Sequence, residues 1–388
     1  MIKPRDITSA VLRMKDKYPV LALTGPRQSG KTTLLQQMFR EFRYVSLENP
    51  DMLTFATEDP NGFLKEFDQH VIFDEIQRAP HLFSYIQTTV DQSGIMGQYI
   101  LSGSQNFHLL RSITQSLAGR VAIFRLFPFD FNELKSAEWI LKDPFEQLIK
   151  GFYPALYSRK IESDFFYSNY LETYIRRDVT DLVNIRDYDS FNRFLSLCAN
   201  RAGQLLNLNS MANDCNISQP TAKAWLTALE NSYIIFRLNP YYNNFTKRII
   251  KTPKLYFYDT GLLSYLLKIN STSRLKLDKQ KGHLFENMII AEYVKQIHHN
   301  LANIDVSFWR DSAGREIDLI ALTPENRLLI EIKATETIMP DMFKNINYYS
   351  VLSKWDDARK ILVHAGDFRQ HRTAGEIIPW SDWGIKAG

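Results

Sequence analysis

The chain has 388 residues, 45% hydrophobic and 23% charged, with a formal net charge of +4 at neutral pH. That length exceeds one ordinary core and predicts two or three domains. The composition excludes a disordered or low-complexity protein, and the small positive charge permits a nucleic-acid partner without requiring one. The two cysteines, Cys198 and Cys215, fall in helical stretches without metal-ligand spacing, so they read as buried free thiols rather than a disulfide or metal site. The charged first residues have no apolar run behind them, and no charge-free stretch is long enough to span a bilayer. No membrane segment is expected, and the expected location is the cytoplasm.

In chain order, residues 19–24 (Pro-Val-Leu-Ala-Leu-Thr) form an apolar run of the kind found in a strand buried on both faces. Gly25, Pro26, Arg27, Gln28, Ser29, Gly30, Lys31 and Thr32 follow, and Thr33 opens a helical stretch. Strand, G-x-x-x-x-G-K-[ST] loop and helix together predict a phosphate-binding loop. Its glycines let backbone N–H groups turn inward onto phosphates, Lys31 reaches the terminal phosphates of ATP, and the Thr32 hydroxyl is a ligand for Mg²⁺. Residues 70–75 (His-Val-Ile-Phe-Asp-Glu) predict a second buried strand on a neighbouring position in the sheet. Asp74 is the candidate for the Mg²⁺ shell, and Glu75 for polarising the attacking water. A third strand, residues 98–104, ends in Ser104, which is placed to sense the γ-phosphate or hold water, as is Gln105. A plain polar loop reads the same residues equally well.

The segments Gly25–Thr33, Phe73–Gln77, Leu101–Gln105 and Ser116-Leu117-Ala118-Gly119-Arg120, in that order, resemble the AAA+-type ATPases of bacteria and archaea that carry a C-terminal DUF4143 domain. The resemblance spans nearly the whole chain and implies an AAA+ α/β ATPase core; the loop and carboxylate motifs call for ATP and Mg²⁺ as cofactors, and homo-oligomers are left open. The resemblance also implies that Arg120 is an arginine finger or γ-phosphate sensor, although an arginine there can equally pair with a local carboxylate. No second helical sensor segment follows Leu126-Phe127-Pro128-Phe129.

Residues 143–182 predict helices with ordinary aromatic packing. Between 205 and 241, a helix capped at Asn209-Ser210, a turn at 216–219, a helix with Pro220 first and a strand at 233–238 outline a winged helix. Gln219, Thr221 and Lys223 are a thin base-reading set. Lys247, Arg248, Lys251 and Lys254 suit phosphate contacts with DNA, or equally a strand edge protected by lysines.

Further on, Glu286 lies near the start of a helix, and strands are expected at 306–310, 315–321 and 327–333. Alternation brings Asp318, Glu331 and Lys333 together: two carboxylates for a divalent metal and a lysine to orient water. The order helix, Asp, Glu-x-Lys resembles the PD-(D/E)xK nucleases, in which Glu286 matches the helical acid. A nuclease-like fold that only binds is the alternative. The expected layout is a P-loop ATPase domain (1–142), a helical and winged-helix domain (143–274) and a PD-(D/E)xK-like α/β domain (275–388).

Overall fold

A computed structural model describes residues 5–104, 116–179, 187–241 and 251–385. Contacts gather the chain into two compact units. The first comprises residues 1–129, 231–233 and 298–301; the second holds 130–230, 234–297 and 302–388.

The first unit is built on a five-stranded, wholly parallel sheet. Its strands are β1 (Val20–Thr24), β2 (Arg43–Ser46), β3 (Val71–Asp74), β4 (Tyr99–Gly103) and β5 (Val121–Arg125), in the order β2-β3-β4-β1-β5. The three inner strands are buried along their whole length, which is why they read as unbroken apolar runs. Alternation sends Val20, Ala22, Phe73 and Leu101 to one core with Phe63, Phe83 and Ile86. Leu21, Leu23, Ile72 and Ile100 face the other core, with Leu34 and Leu35 of the helix Lys31–Met38. Helices therefore cover both faces, and truncating one of these leucines, isoleucines or phenylalanines to alanine removes about 2–5 kcal/mol of stability. β4 lies between β1 and β3, so the carboxylate strand is not the immediate neighbour of the loop strand that its sequence spacing suggested.

Residues far along the chain complete this unit. The Tyr233 and Thr24 hydroxyls lie 2.8 Å apart. Arg125 contacts His298 Nδ1 at 3.4 Å, and the Phe127 amide donates to His299 Nε2 at 3.1 Å.

The second unit begins with helices Pro144–Lys150, Pro154–Ser158 and Ser163–Tyr170, and a wider-wound turn follows at Leu171–Val179. Asp259 ties this part together. It accepts from the Tyr167 hydroxyl (2.7 Å), the Phe152 amide and the Leu262 amide (2.8 Å each). Helices Leu208–Asp214 and Gln219–Asn231 precede an antiparallel pair, β6 (Ile235–Leu238) and β7 (Lys254–Phe257). The first of these helices is capped by Asn207 and not at 209–210, and the second starts at Gln219, one residue before Pro220, with Ser218 accepting the Thr221 amide.

The last six strands are β8 (Asp305–Arg310), β9 (Glu316–Leu322), β10 (Arg327–Lys333), β11 (Arg359–His364), β12 (Gln370–Arg372) and β13 (Gly375–Pro379). They form a mixed sheet ordered β12-β13-β11-β10-β9-β8, with Ile317, Ile320, Leu329 and Leu362 packed beneath Ile346 and Tyr349 of the helix Lys344–Ser353. Cys198 and Cys215 are buried free thiols. Among the described residues, no helix is long and apolar enough to cross a membrane.

His298 carries a pH consequence. Burial, reinforced by Arg125 and His299, holds its imidazole down to about 3. The unfolded chain takes up this proton near pH 6.5 and the folded chain near 3, so stability is complete above 6.5 and falls as pH drops through that window. Urea unfolding at pH 7 and pH 5 is expected to show a loss of about 2 kcal/mol that His298→Gln removes. An unchanged slope in the variant would exclude His298 as the source.

Candidate functional site

The phosphate loop leaves β1 at Gly25, whose φ of +146° and contacts both require glycine. A Cβ there would lie 2.1 Å from the Leu126 carbonyl oxygen. Gly30 (φ 94°) turns the loop into the helix Lys31–Met38. Between them, the Lys31 ammonium donates to the Gly25 and Pro26 carbonyls, 2.9 Å each. Burial lowers its pKa to about 8, against the pull of Glu75 and Asp74; Arg27, half-buried in the loop, adds to the lowering. Pro26 and Ser29 are buried, while Gln28 and Thr33 are exposed. The sequence reading overlooked Arg5, which is buried and donates to the Ser29 carbonyl (2.9 Å) and the Phe127 carbonyl (2.6 Å). It braces the loop from outside. A lone arginine ahead of the first strand gives no pattern by which to find it.

Asp74 ends β3, with only 6% of its surface exposed. Its Oδ2 accepts from Thr32 Oγ1 at 2.8 Å and from the Tyr44 hydroxyl at 2.7 Å, and its Oδ1 takes the Glu75 amide at 3.2 Å. Burial and this carboxylate push the Tyr44 phenol upward. Tyr44 on the edge strand β2 was also missed. Glu75 adopts left-handed backbone (φ 53°), which swings its side chain away from the strand direction. Glu75 Oε2 then accepts from Ser104 Oγ (3.2 Å) and from Gln77 Nε2. Thus Lys31, Thr32, Asp74, Glu75 and Ser104 gather at the carboxyl edge of the sheet, where open α/β sheets take ligands. Gln105 lies outside the described residues.

Arg120 is not brought there. It directly precedes β5, and its carbonyl accepts from Val20 at the opposite, amino edge. The five-residue strand alone spans about 16 Å. Its exposed guanidinium is paired with Asp91, Nε–Oδ1 2.5 Å and Nη2–Oδ2 2.8 Å. A same-chain γ-phosphate sensor is therefore corrected to a local ion pair.

In the second unit the predicted carboxylates do converge. β9 carries one residue more than β8 between the pairs Ser307–Ile320 and Trp309–Ile317, a bulge at Asp318-Leu319 that breaks strict alternation and re-aims Asp318. The β9–β10 ladder stops at Leu319–Ile330, and the Asp318 carboxylate takes the Ile332 amide at 2.8 Å. Lys333 Nζ meets Glu331 Oε1 at 2.6 Å. Burial, then Glu331 and Glu286, hold the Asp318 carboxyl well above the usual range; burial also raises Glu331, against Lys333. Glu286, from the helix Lys281–Asn300, and Glu316 place carboxylate oxygens within 4.8 Å of one from Asp318. Lys254, expected to meet DNA, is instead 2% exposed and lies 2.8 Å from Glu286, also bonding Glu316. Lys251 is exposed; Lys247 and Arg248 lie outside the described residues.

A glycine-walled loop on a strand–helix junction, facing a hydroxyl–carboxylate pair and a glutamate, is the site of a P-loop nucleotide hydrolase. Residues 17–135 match the AAA domain family, 281–383 the domain of unknown function DUF4143, and 141–273 the domain of unknown function DUF8612. These matches support an AAA-type ATPase with a C-terminal DUF4143 domain. It is 29% identical to the uncharacterized protein Rv2008c of Mycobacterium tuberculosis, over 95% of this chain and 81% of that one. It is 21% identical to an uncharacterized Haemophilus influenzae protein, over 99% and 98% of the two chains. Among solved structures, it is similar to a Walker-type ATPase of Pyrococcus abyssi with a TM-score of 0.43 and 14% identity. That match covers 68% of this chain and 95% of that one.

Two variants separate the roles. Glu75→Gln is expected to retain ATP binding and slow turnover about 10²–10⁴-fold, whereas Lys31→Ala loses affinity; unchanged turnover in Glu75→Gln would remove Glu75 as the group that activates water. Arg120→Ala is expected to leave turnover within about twofold, as for an exposed ion pair. A loss that appears only at concentrations where copies associate would instead place Arg120 at a neighbour's nucleotide.

Proposed function

We propose that this ATPase uses Mg²⁺-dependent ATP hydrolysis to drive nucleic-acid processing, with the second unit cleaving phosphodiesters at a divalent metal. The hydroxyl, the two carboxylates and the buried lysine are a donor set that fits an Mg²⁺–nucleotide. Thr32 and Asp74 would hold the ion, which neutralises phosphate charge, while Lys31 and the loop amides bind the phosphates and Glu75 orients water. Ser104 positions Glu75. Homo-oligomers are part of this reading, by analogy with the resemblance rather than from any contact.

The observation that carries the nucleic-acid half is the convergence of Asp318, Glu331 and Lys333 from two strands, in the order of the PD-(D/E)xK resemblance. Among the described residues, the buried Glu331 Oε2 has no hydrogen-bond partner and Asp318 accepts one amide, so the pair fits a hard cation. Lys333 is placed to orient water toward phosphorus, where the P–O bond to the leaving oxygen would break. The helix pair and the β6–β7 hairpin support a winged helix, with Gln219 and Lys223 exposed on the second helix. A second reading, an ATP-switched regulator of protein partners with a silent nuclease-like domain, draws support from Lys254, which already neutralises two carboxylates.

The test is DNA and RNA cleavage with Mg²⁺ or Mn²⁺. Linear or branched DNA is expected to be cut, Lys333→Ala and Asp318→Asn are expected to stop cutting without slowing ATP hydrolysis, and DNA binding is expected to weaken with salt. No cleavage of any of these substrates by the wild type would leave the regulator reading standing.

A further inference from the structure

The carboxylates of the second unit are not equivalent, and the difference lies in what already touches them. Glu286 Oε1 takes both Lys254 Nζ (2.8 Å) and the Tyr256 hydroxyl (2.6 Å), while Oε2 faces His283 Nδ1 at 3.8 Å. Glu316 Oε1 takes the same Lys254, and Oε2 takes Arg310 Nη1 at 2.9 Å. Glu286 Oε1 and both oxygens of Glu316 are therefore already held by protein donors, with Lys254 shared between the two acids. Among the described residues, Asp318 receives one amide and Glu331 keeps an enclosed oxygen without a hydrogen-bond partner. Among the described residues around the cluster, four carboxylates (Glu286, Glu316, Asp318, Glu331) face three cations, Lys254, Lys333 and Arg310. A buried charge without compensation is costly, so the remaining negative charge belongs at the Asp318–Glu331 pair.

We propose that Lys254 is a built-in cation that fills the position between Glu286 and Glu316, leaving this unit one exchangeable divalent-cation site, at Asp318 and Glu331. The inference rests on the metal reading of the proposed function and fixes its stoichiometry. Lys254 comes from β7, in the hairpin of the helical part, and only 2% of it is exposed. An ammonium there satisfies two acids with directed hydrogen bonds and cannot be exchanged for an ion from solution. It also bars a second divalent ion by occupying its space and by like-charge repulsion. A two-metal clamp across this cluster, with Glu286 as a ligand, is thereby excluded. Glu286 acts through Lys254, as a positioning residue.

The experiment counts Mn²⁺ bound per full-length chain without nucleotide, by calorimetry and by paramagnetic resonance of the free ion. The variant combining Glu286→Gln, Glu316→Gln, Asp318→Asn and Glu331→Gln serves as background, so ions held elsewhere cancel. Wild type is expected to bind one Mn²⁺ above that background, and Lys254→Arg also one. Lys254→Met, close in shape but uncharged, is expected to bind two, because Glu286 and Glu316 are released. Thermal unfolding checks that each variant folds. If Lys254→Met does not fold, the wild-type count still decides. Two ions bound by wild type, or one by folded Lys254→Met, would overturn the built-in-cation assignment. No ion above background in wild type would instead sink the metal reading on which it rests.

Discussion

One carboxylate holds the ATPase site in register. Asp74 stands at the end of a fully buried strand, and both of its oxygens are committed to protein donors from three parts of the first unit: the phosphate-loop helix, the edge strand β2 and its own following residue. Hydrogen bonds to an ionised acceptor contribute about 1.5–3 kcal/mol each, so this junction outweighs any single apolar contact around it. Its position follows from the parallel sheet, which delivers the ends of β1, β3 and β4 to one edge. The loop lysine, the Thr32 hydroxyl and the Ser104–Glu75 pair can all meet there although they come from separate segments.

The second unit meets the same difficulty, buried acids at a sheet end, with other partners. Hydroxyls and an amide satisfy Asp74, which leaves its charge available to an incoming cation. Lysine and arginine satisfy Glu286 and Glu316, which cancels theirs. Two acidic clusters in one chain thus differ in electrostatic readiness for reasons that lie in their neighbours.

What the sequence revealed tracks how local each determinant is. The loop from Gly25 to Thr32 and the strands around Asp74 and Ser104 were legible because backbone geometry and phosphate chemistry act over adjacent residues. The Asp318, Glu331 and Lys333 set was legible because two short strands join in a hairpin. Sheet order was not: the strand that separates β1 from β3, and the edge at which Arg120 sits, depend on packing among segments dozens of residues apart. Lys254 read as a surface charge because its partners lie 32 and 62 residues downstream. The bulge at Asp318-Leu319 had no signature either, since an extra residue becomes visible only against the strand beside it.

The make-up of the first unit bears on how the protein emerges from the ribosome. All five strands have been made by Arg125, yet residues 231–233 and 298–301 also belong to that unit. At about 5–20 residues per second, residue 301 follows Arg125 by roughly 10–35 seconds. Through roughly the first three-fifths of that interval Thr24, next to the phosphate loop, lacks Tyr233, and for nearly all of it Phe127 lacks His299. A chain cut short in the middle of the second unit would keep every nucleotide-binding motif and still lack part of the scaffold beneath them.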